Sequence, residues 1–127
     1  REFVDLLPEG LDAPIDQGGV NLSGGQRQRL AIARCIVRDP LIYLFDDSFS
    51  ALDYATDARL RGALRSLTRG KTVVIVAQRV STIMDADRIV VLDNGRVAGI
   101  GTHDDLMETC EAYREIAASQ VSLEDVR

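Results

Sequence analysis

Two short runs, LIYLF at Leu41–Phe45 and TVVIVA at Thr72–Ala77, lack the alternation of apolar and polar residues that marks a strand with one wet face. Such runs predict strands buried on both faces, as in a parallel sheet covered by helices. Between them Asp53 reads as a helix N-cap, Leu60, Leu64 and Leu67 as a buried stripe, and Gly70 as the stop. Strand, helix, strand implies an α/β fold with parallel strands joined by right-handed crossovers. Ligands of such sheets bind beyond the carboxyl ends of the strands. Asp46 and Asp47 follow the first run and Gln78 the second, so they are expected to lie together.

The other segments fit around this frame. Arg1–Asn21 carries Pro8, Gly10, Pro14, Gly18 and Gly19, which predicts loops with short helical pieces. Arg1 is not a credible natural start, and the chain is expected to begin within a domain. Ser23 and Gln26 form a capping box opening a helix through RQRLAIARCIV, with Leu30, Ala33 and Val37 on one face and Ile32 and Ile36 beside it. Pro40 ends that helix. A short helix is expected over Ser81–Ala86 and a strand over Arg88–Leu92. DNG at Asp93–Gly95 signals a hairpin turning Arg96–Ile100 back antiparallel. Thr102 and Asp105 cap a C-terminal helix packed through Tyr113 and Ile116, and Val121–Arg127 reads as a frayed tail.

Charge and composition narrow the function classes. The 127 residues carry a net charge of -5, which argues against broad nucleic-acid binding. The arginines at 27, 29, 34 and 38 read as a solvated helix face. No apolar run approaches the roughly 20 residues of a membrane helix, and REFVDLLPEG lacks a signal-peptide pattern. Cys35 and Cys110 stand apart with no CxxC, so they read as reduced thiols in a cytosolic compartment. His103, the one histidine, reads as a surface residue at a helix start.

LSGGQ, Leu22–Gln26, places two glycines at a helix start. Exposed amides and the positive dipole end make such a start an anion site, and glycine lets a phosphate approach the backbone. Taken alone, the motif also describes an ordinary capped helix. An apolar strand ending in Asp46 resembles a Walker B strand, whose terminal Asp holds Mg²⁺, though many buried strands end in Asp. SALD at Ser50–Asp53 and Gln78 are by themselves a turn and a polar strand end.

Their order is what singles them out. LSGGQRQRLAIAR, an apolar strand with Asp46, SALD, and a strand followed by QRVST resemble the C-terminal half of the ATP-binding cassette (ABC) ATPases over roughly residues 11–120. GTHDDLMETCEAYREIAASQ is similar to the tail of exporter-type members. The resemblance implies the C-terminal part of a P-loop NTPase-like nucleotide-binding domain: a parallel sheet flanked by helices, with a terminal antiparallel hairpin. Residues 1–38 would end the helical subdomain, 39–120 would form the C-terminal part of the ATPase core, and 121–127 the tail. No GxxxxGK[ST] phosphate loop occurs. The Walker A half, its adenine-stacking aromatic and the transmembrane domain are thus expected elsewhere. The segment alone should neither bind ATP tightly nor hydrolyse it, and it would expose a sheet edge.

In that family two domains sandwich two ATP molecules head to tail. The resemblance implies that Ser23, Gly24, Gly25 and Gln26 cap the γ-phosphate of ATP held by a second ABC subunit. By the same analogy Asp46 is the Walker B carboxylate for Mg²⁺, Asp53 the D-loop Asp, and Asp16–Gly19 a loop near the transmembrane coupling helices. Two positions depart from the pattern. Asp47 stands where a catalytic Glu orients water, and Gln78 where a switch His meets the γ-phosphate. Gln donates a hydrogen bond but cannot carry or shuttle a proton. Losing one methylene retracts the Asp47 carboxylate by roughly 1.5 Å. This resembles the degenerate-site subunit of heterodimeric bacterial exporters, on the cytoplasmic face of the cell membrane. The alternatives are a soluble ABC ATPase acting on DNA or the ribosome, and a non-catalytic ATP-gated regulatory subunit. Acidity and the exporter-like tail count against the first.

Overall fold

The computed structural model describes residues 3–124, with side chains described through residue 120. The chain divides into two compact units, Arg1–Val74 and Ile75–Arg127.

The first unit opens, as expected, with loops and two 3-10 turns, Gly10–Asp12 and Gln17–Gly19. Helix α1 (Gly24–Val37), strand β1 (Ile42–Asp46) and helix α2 (Tyr54–Leu67) follow, and strand β2 (Thr72–Val76) runs across the boundary between units. β1 and β2 pair in a parallel two-stranded sheet, and α2 is the crossover that parallel strands require. Tyr43 and Phe45 point from β1 into a core with Ile32, Phe49, Leu52 and Leu64. Phe45 bridges its neighbours, with ring centroids 6.0 Å from Tyr43 and 5.6 Å from Phe49.

In this unit and its two strands, burial differs from the sequence expectation in three places. β1 is buried on one face only: Ile42 and Leu44 alternate outward at 63% and 65% exposure, and β2 is largely exposed. No described residue covers that face, so the continuous apolar run is half satisfied here. On α1 the buried residue is Ile32, while Leu30 is half-buried and Ala33 and Val37 are exposed. On α2 the stripe runs through Asp57, Leu64 and Thr68, leaving Leu67 outside. Asp57 is 1% exposed; Arg61 Nε, one helical turn on, lies 3.2 Å from its Oδ2, while its Oδ1 is buried without a hydrogen-bond partner among the described residues.

The second unit holds α3 (Val80–Ile83), β3 (Ile89–Asp93), β4 (Arg96–Gly101), α4 (His103–Thr109) and α5 (Glu111–Glu124). β3 and β4 form the predicted antiparallel hairpin, with Asp93 opposite Arg96 and a register shift between Val91 and Leu92. Its turn residues are Asn94 (φ 47°) and Gly95 (φ 74°), both left-handed as a tight primed turn requires. Ile89, Val91, Leu106, Cys110 and Tyr113 form the core. Gly99 admits α4 against β4, since a Cβ there would lie 2.8 Å from Leu106 Cδ2 and 3.0 Å from Cys110 Sγ.

The single C-terminal helix expected from sequence is two helices, broken at Cys110 (φ −115°, ψ 107°). Tyr113 is packed as expected, but Ile116 is 40% exposed. Residues 121–124 continue α5, which corrects that part of the frayed tail, and 125–127 lie outside the described residues. Both cysteines are free thiols. Among the described residues no helix is long and apolar enough to cross a membrane.

Candidate functional site

The start of α1 is a closed capping box. Ser23 Oγ accepts from the Gln26 amide at 3.2 Å, and Gln26 Oε1 accepts from the Ser23 amide at 2.8 Å. These two bonds leave the amides of Gly24 and Gly25 outside the box as donors for an anion. Ser23 Oγ, used as an acceptor, keeps its hydroxyl proton to donate. Gln26 shapes the tip through its side-chain oxygen, which is engaged within the box.

Close packing gives Gly25, and to a lesser degree Gly24, a second reason to be glycine. The Ser50–Asp53 segment packs against them: a Cβ on Gly24 would stand 3.3 Å from Ala51 Cβ, and one on Gly25 only 3.0 Å from the Ala51 carbonyl oxygen. Gln28, one turn further along α1, ties down the same segment. Its Nε2 donates to the Asp47 carbonyl and to Ser50 Oγ, each at 3.1 Å, and its Oε1 accepts from the Ala51 amide at 3.0 Å. Ser50 Oγ donates to the Asp47 carbonyl as well, at 3.1 Å. Helix tip, Asp47 and the SALD segment are therefore one hydrogen-bonded assembly within the first unit. Sequence reasoning missed Gln28, because a polar residue on a helix gives no sign of a partner 19 to 23 positions away.

Asp46 ends β1 and is exposed, and the next residue, Asp47, has φ 46°. The left-handed backbone at Asp47 breaks the strand there, a conformation Asp tolerates better than most residues. Asp53 caps α2, its Oδ1 accepting from the Thr56 amide at 2.9 Å. That backbone hydrogen bond, followed by the Thr56 side chain, holds the Asp53 carboxyl below its ordinary value. Among the described residues no group of three or more His, Cys, Asp or Glu forms a metal cage. A cation shared with a phosphate needs only one or two carboxylates, and the exposed Asp46 fits that demand.

Ahead of the tip, Arg27 Nη1 donates to the Leu22 and Gly19 carbonyls at 2.7 and 3.2 Å, tying the Asp16–Gly19 loop to α1. Arg29 donates to the Gly25 carbonyl and places its guanidinium 5.0 Å from the Phe3 ring centroid. Two of the four clustered arginines thus work inside the chain, a correction to the purely solvated face. Gln78 lies in the second unit, exposed in the turn between β2 and α3, with its carbonyl accepting from Gln120 Nε2 at 2.7 Å. His103 Nδ1 lies 2.9 Å from Tyr113 Oη, and the ring is half-buried, where the sequence reading had it on the surface.

The ABC transporter family profile matches residues 4–50, which contain the capped tip, β1 and both carboxylates. An uncharacterized ABC transporter ATP-binding protein of Mycobacterium bovis is 53% identical over 112 residues, covering 88% of this chain and 19% of the relative. An ATP-dependent lipid A-core flippase of Alkalilimnicola ehrlichii is 53% identical over 107 residues, covering 84% and 18%. A solved bacterial Atm1-family ABC exporter with ATP bound superposes with a TM-score of 0.89 at 43% identity, covering 94% of this chain and 21% of that one. The chain belongs to the ABC transporter ATP-binding domain family. It spans about a fifth of the length of these relatives. As an ABC chain it carries the α/β sheet and the antiparallel hairpin of the exporter's nucleotide-binding domain.

Proposed function

We propose that this chain is the C-terminal part of the ATPase domain of an ABC exporter, paired head to tail with a second ABC subunit. The capped tip carries the reading: a helix start with two uncommitted glycine amides and a serine hydroxyl is built for a terminal phosphate. Ser23, Gly24 and Gly25, with Gln26 fixing their geometry, would grip ATP bound by the partner subunit. Asp46 would hold Mg²⁺ on this chain's own nucleotide; the ion, when bound, neutralises charge on the transferring phosphoryl group. Asp53, held in place as the α2 cap, would link the two sites. Residues 1–38 would end the helical subdomain and 39–120 would complete the core.

The home site is the degenerate one. Asp47 would stand short of an attacking water, and Gln78 would touch the terminal phosphate with a donor that never becomes cationic. ATP bound here would act chiefly as a clamp, while the partner's site, completed by this tip, hydrolyses. The assembly would sit at the cell membrane through a transmembrane domain of the full-length protein, with this domain on the cytoplasmic face. A single-turnover measurement on the assembled full-length complex tests the pairing. One ATP of the two bound should hydrolyse fast. Two equal fast phases would end the degenerate reading, and none would favour a regulatory subunit.

Gln28 should matter to the stability of the first unit's hydrogen-bonded assembly. Gln28→Ala removes three hydrogen bonds that hold Asp47 and the SALD segment to α1. With about 1 kcal/mol per bond, chemical denaturation should register a loss of roughly 1–3 kcal/mol.

A further inference from the structure

Gln120 reaches from α5 to the two ends of a turn some 40 residues earlier. Its Oε1 accepts from the Val80 amide at 2.8 Å and its Nε2 donates to the Gln78 carbonyl at 2.7 Å. The two bonds straddle Arg79. A primary amide offers the same donor and acceptor as a peptide group, so Gln120 pairs with this turn as a neighbouring strand would. We propose that Gln120 is the positioning residue for Gln78, setting from α5 where the Gln78 side chain is presented.

No local side chain caps this turn, whose own backbone bond runs from the Thr82 amide to the Arg79 carbonyl at 3.1 Å. α3 is four residues long, and its N-cap Arg79 makes no side-chain capping bond. So short a helix does not sustain its own start, and its first amide would otherwise rely on water. Gln120 Oε1 supplies that cap from elsewhere in the unit. The support behind it is firm. Tyr113, 2% exposed in the core with Ile89, Val91, Leu106 and Cys110, lies seven residues before Gln120 on the same face of α5. The chain from Gln78 to Val80 is thus held from the packed core, while the Gln78 side chain is exposed.

The proposal rests on the assignment of Gln78 to the terminal phosphate of ATP. That phosphate is the one group ADP lacks, so the informative quantity is the ratio of ATP to ADP affinity at this chain's site. In the full-length complex, Gln120→Leu removes both bonds, whereas Gln120→Glu keeps an acceptor for Val80 and sets a carboxylate against the Gln78 carbonyl. Both variants should speed hydrogen exchange in a peptide spanning residues 76–84. Both should also weaken ATP about five- to tenfold while leaving ADP unchanged. Gln78→Ala should give the same pattern of affinities without the faster exchange. Faster exchange in the Gln120 variants with an unaltered ATP to ADP ratio, where Gln78→Ala does alter it, would overturn the positioning role. An unaltered ratio in Gln78→Ala would overturn the assignment of Gln78 itself, and the proposal with it.

Discussion

Asp47→Glu combined with Gln78→His should raise hydrolysis at this chain's own site about 100-fold, seen as a second fast phase in single-turnover experiments on the full-length complex. The first change adds the methylene that, on the proposed reading, brings a carboxylate to the attacking water; an error of about 1 Å in such a group costs on the order of 10²-fold. The second supplies a side chain able to carry a positive charge beside the phosphate. The backbone at position 47 bears on the outcome. Its φ of 46° suits Asp and Asn better than Glu, so the longer residue carries a conformational penalty of about 1–2 kcal/mol. That penalty is common to ground and transition states. It lowers the stability of the domain and leaves the barrier to hydrolysis alone. A variant that melts earlier yet turns over faster is therefore the expected combination. If the unmodified chain already hydrolyses at the partner's rate, Asp47 is long enough and the degenerate reading is wrong.

The elements legible in the sequence were those whose signals are local. Ser23 with Gln26 and Thr102 with Asp105 form the two capping boxes, Asp53 caps α2, and the Asp93–Gly95 turn closes its hairpin. Each of these depends on atoms within a few residues of one another. Burial was less legible, because it depends on what covers a face. Ile42 and Leu44 have the composition of a doubly buried strand, yet no described residue lies over them. Asp57 presents the opposite case, a carboxylate buried through its turn-related Arg61. Of the candidate site, the capped helix start was readable, whereas the wiring around it was not. Gln28 and Gln120 act on backbone groups 19 or more positions away, and a glutamine's sequence neighbours say nothing about such partners.

Gly24→Asp in this chain should suppress turnover at the partner's site about 1000-fold while leaving ATP bound at the home site. On the proposed reading, a carboxylate on the tip would face the terminal phosphate that the Gly24 and Gly25 amides receive. Two like charges about 4 Å apart cost about 4 kcal/mol at an effective dielectric constant of 20, close to three decades in rate. The position is well chosen sterically. A Cβ on Gly24 meets a methyl group, Ala51 Cβ, at 3.3 Å, and that contact relaxes with a shift of a few tenths of an ångström. At Gly25 the obstacle is the Ala51 carbonyl oxygen at 3.0 Å, in a segment already pinned by Gln28. Substitution there would disturb the chain's own packing and confuse the result. Gly24→Ala is the control, since it adds the same Cβ without the charge. Retained turnover in Gly24→Ala with loss in Gly24→Asp would identify repulsion at the tip as the cause. Equal loss in both would point to the Ala51 contact, and equal retention would mean that this helix start meets no nucleotide on the neighbouring subunit.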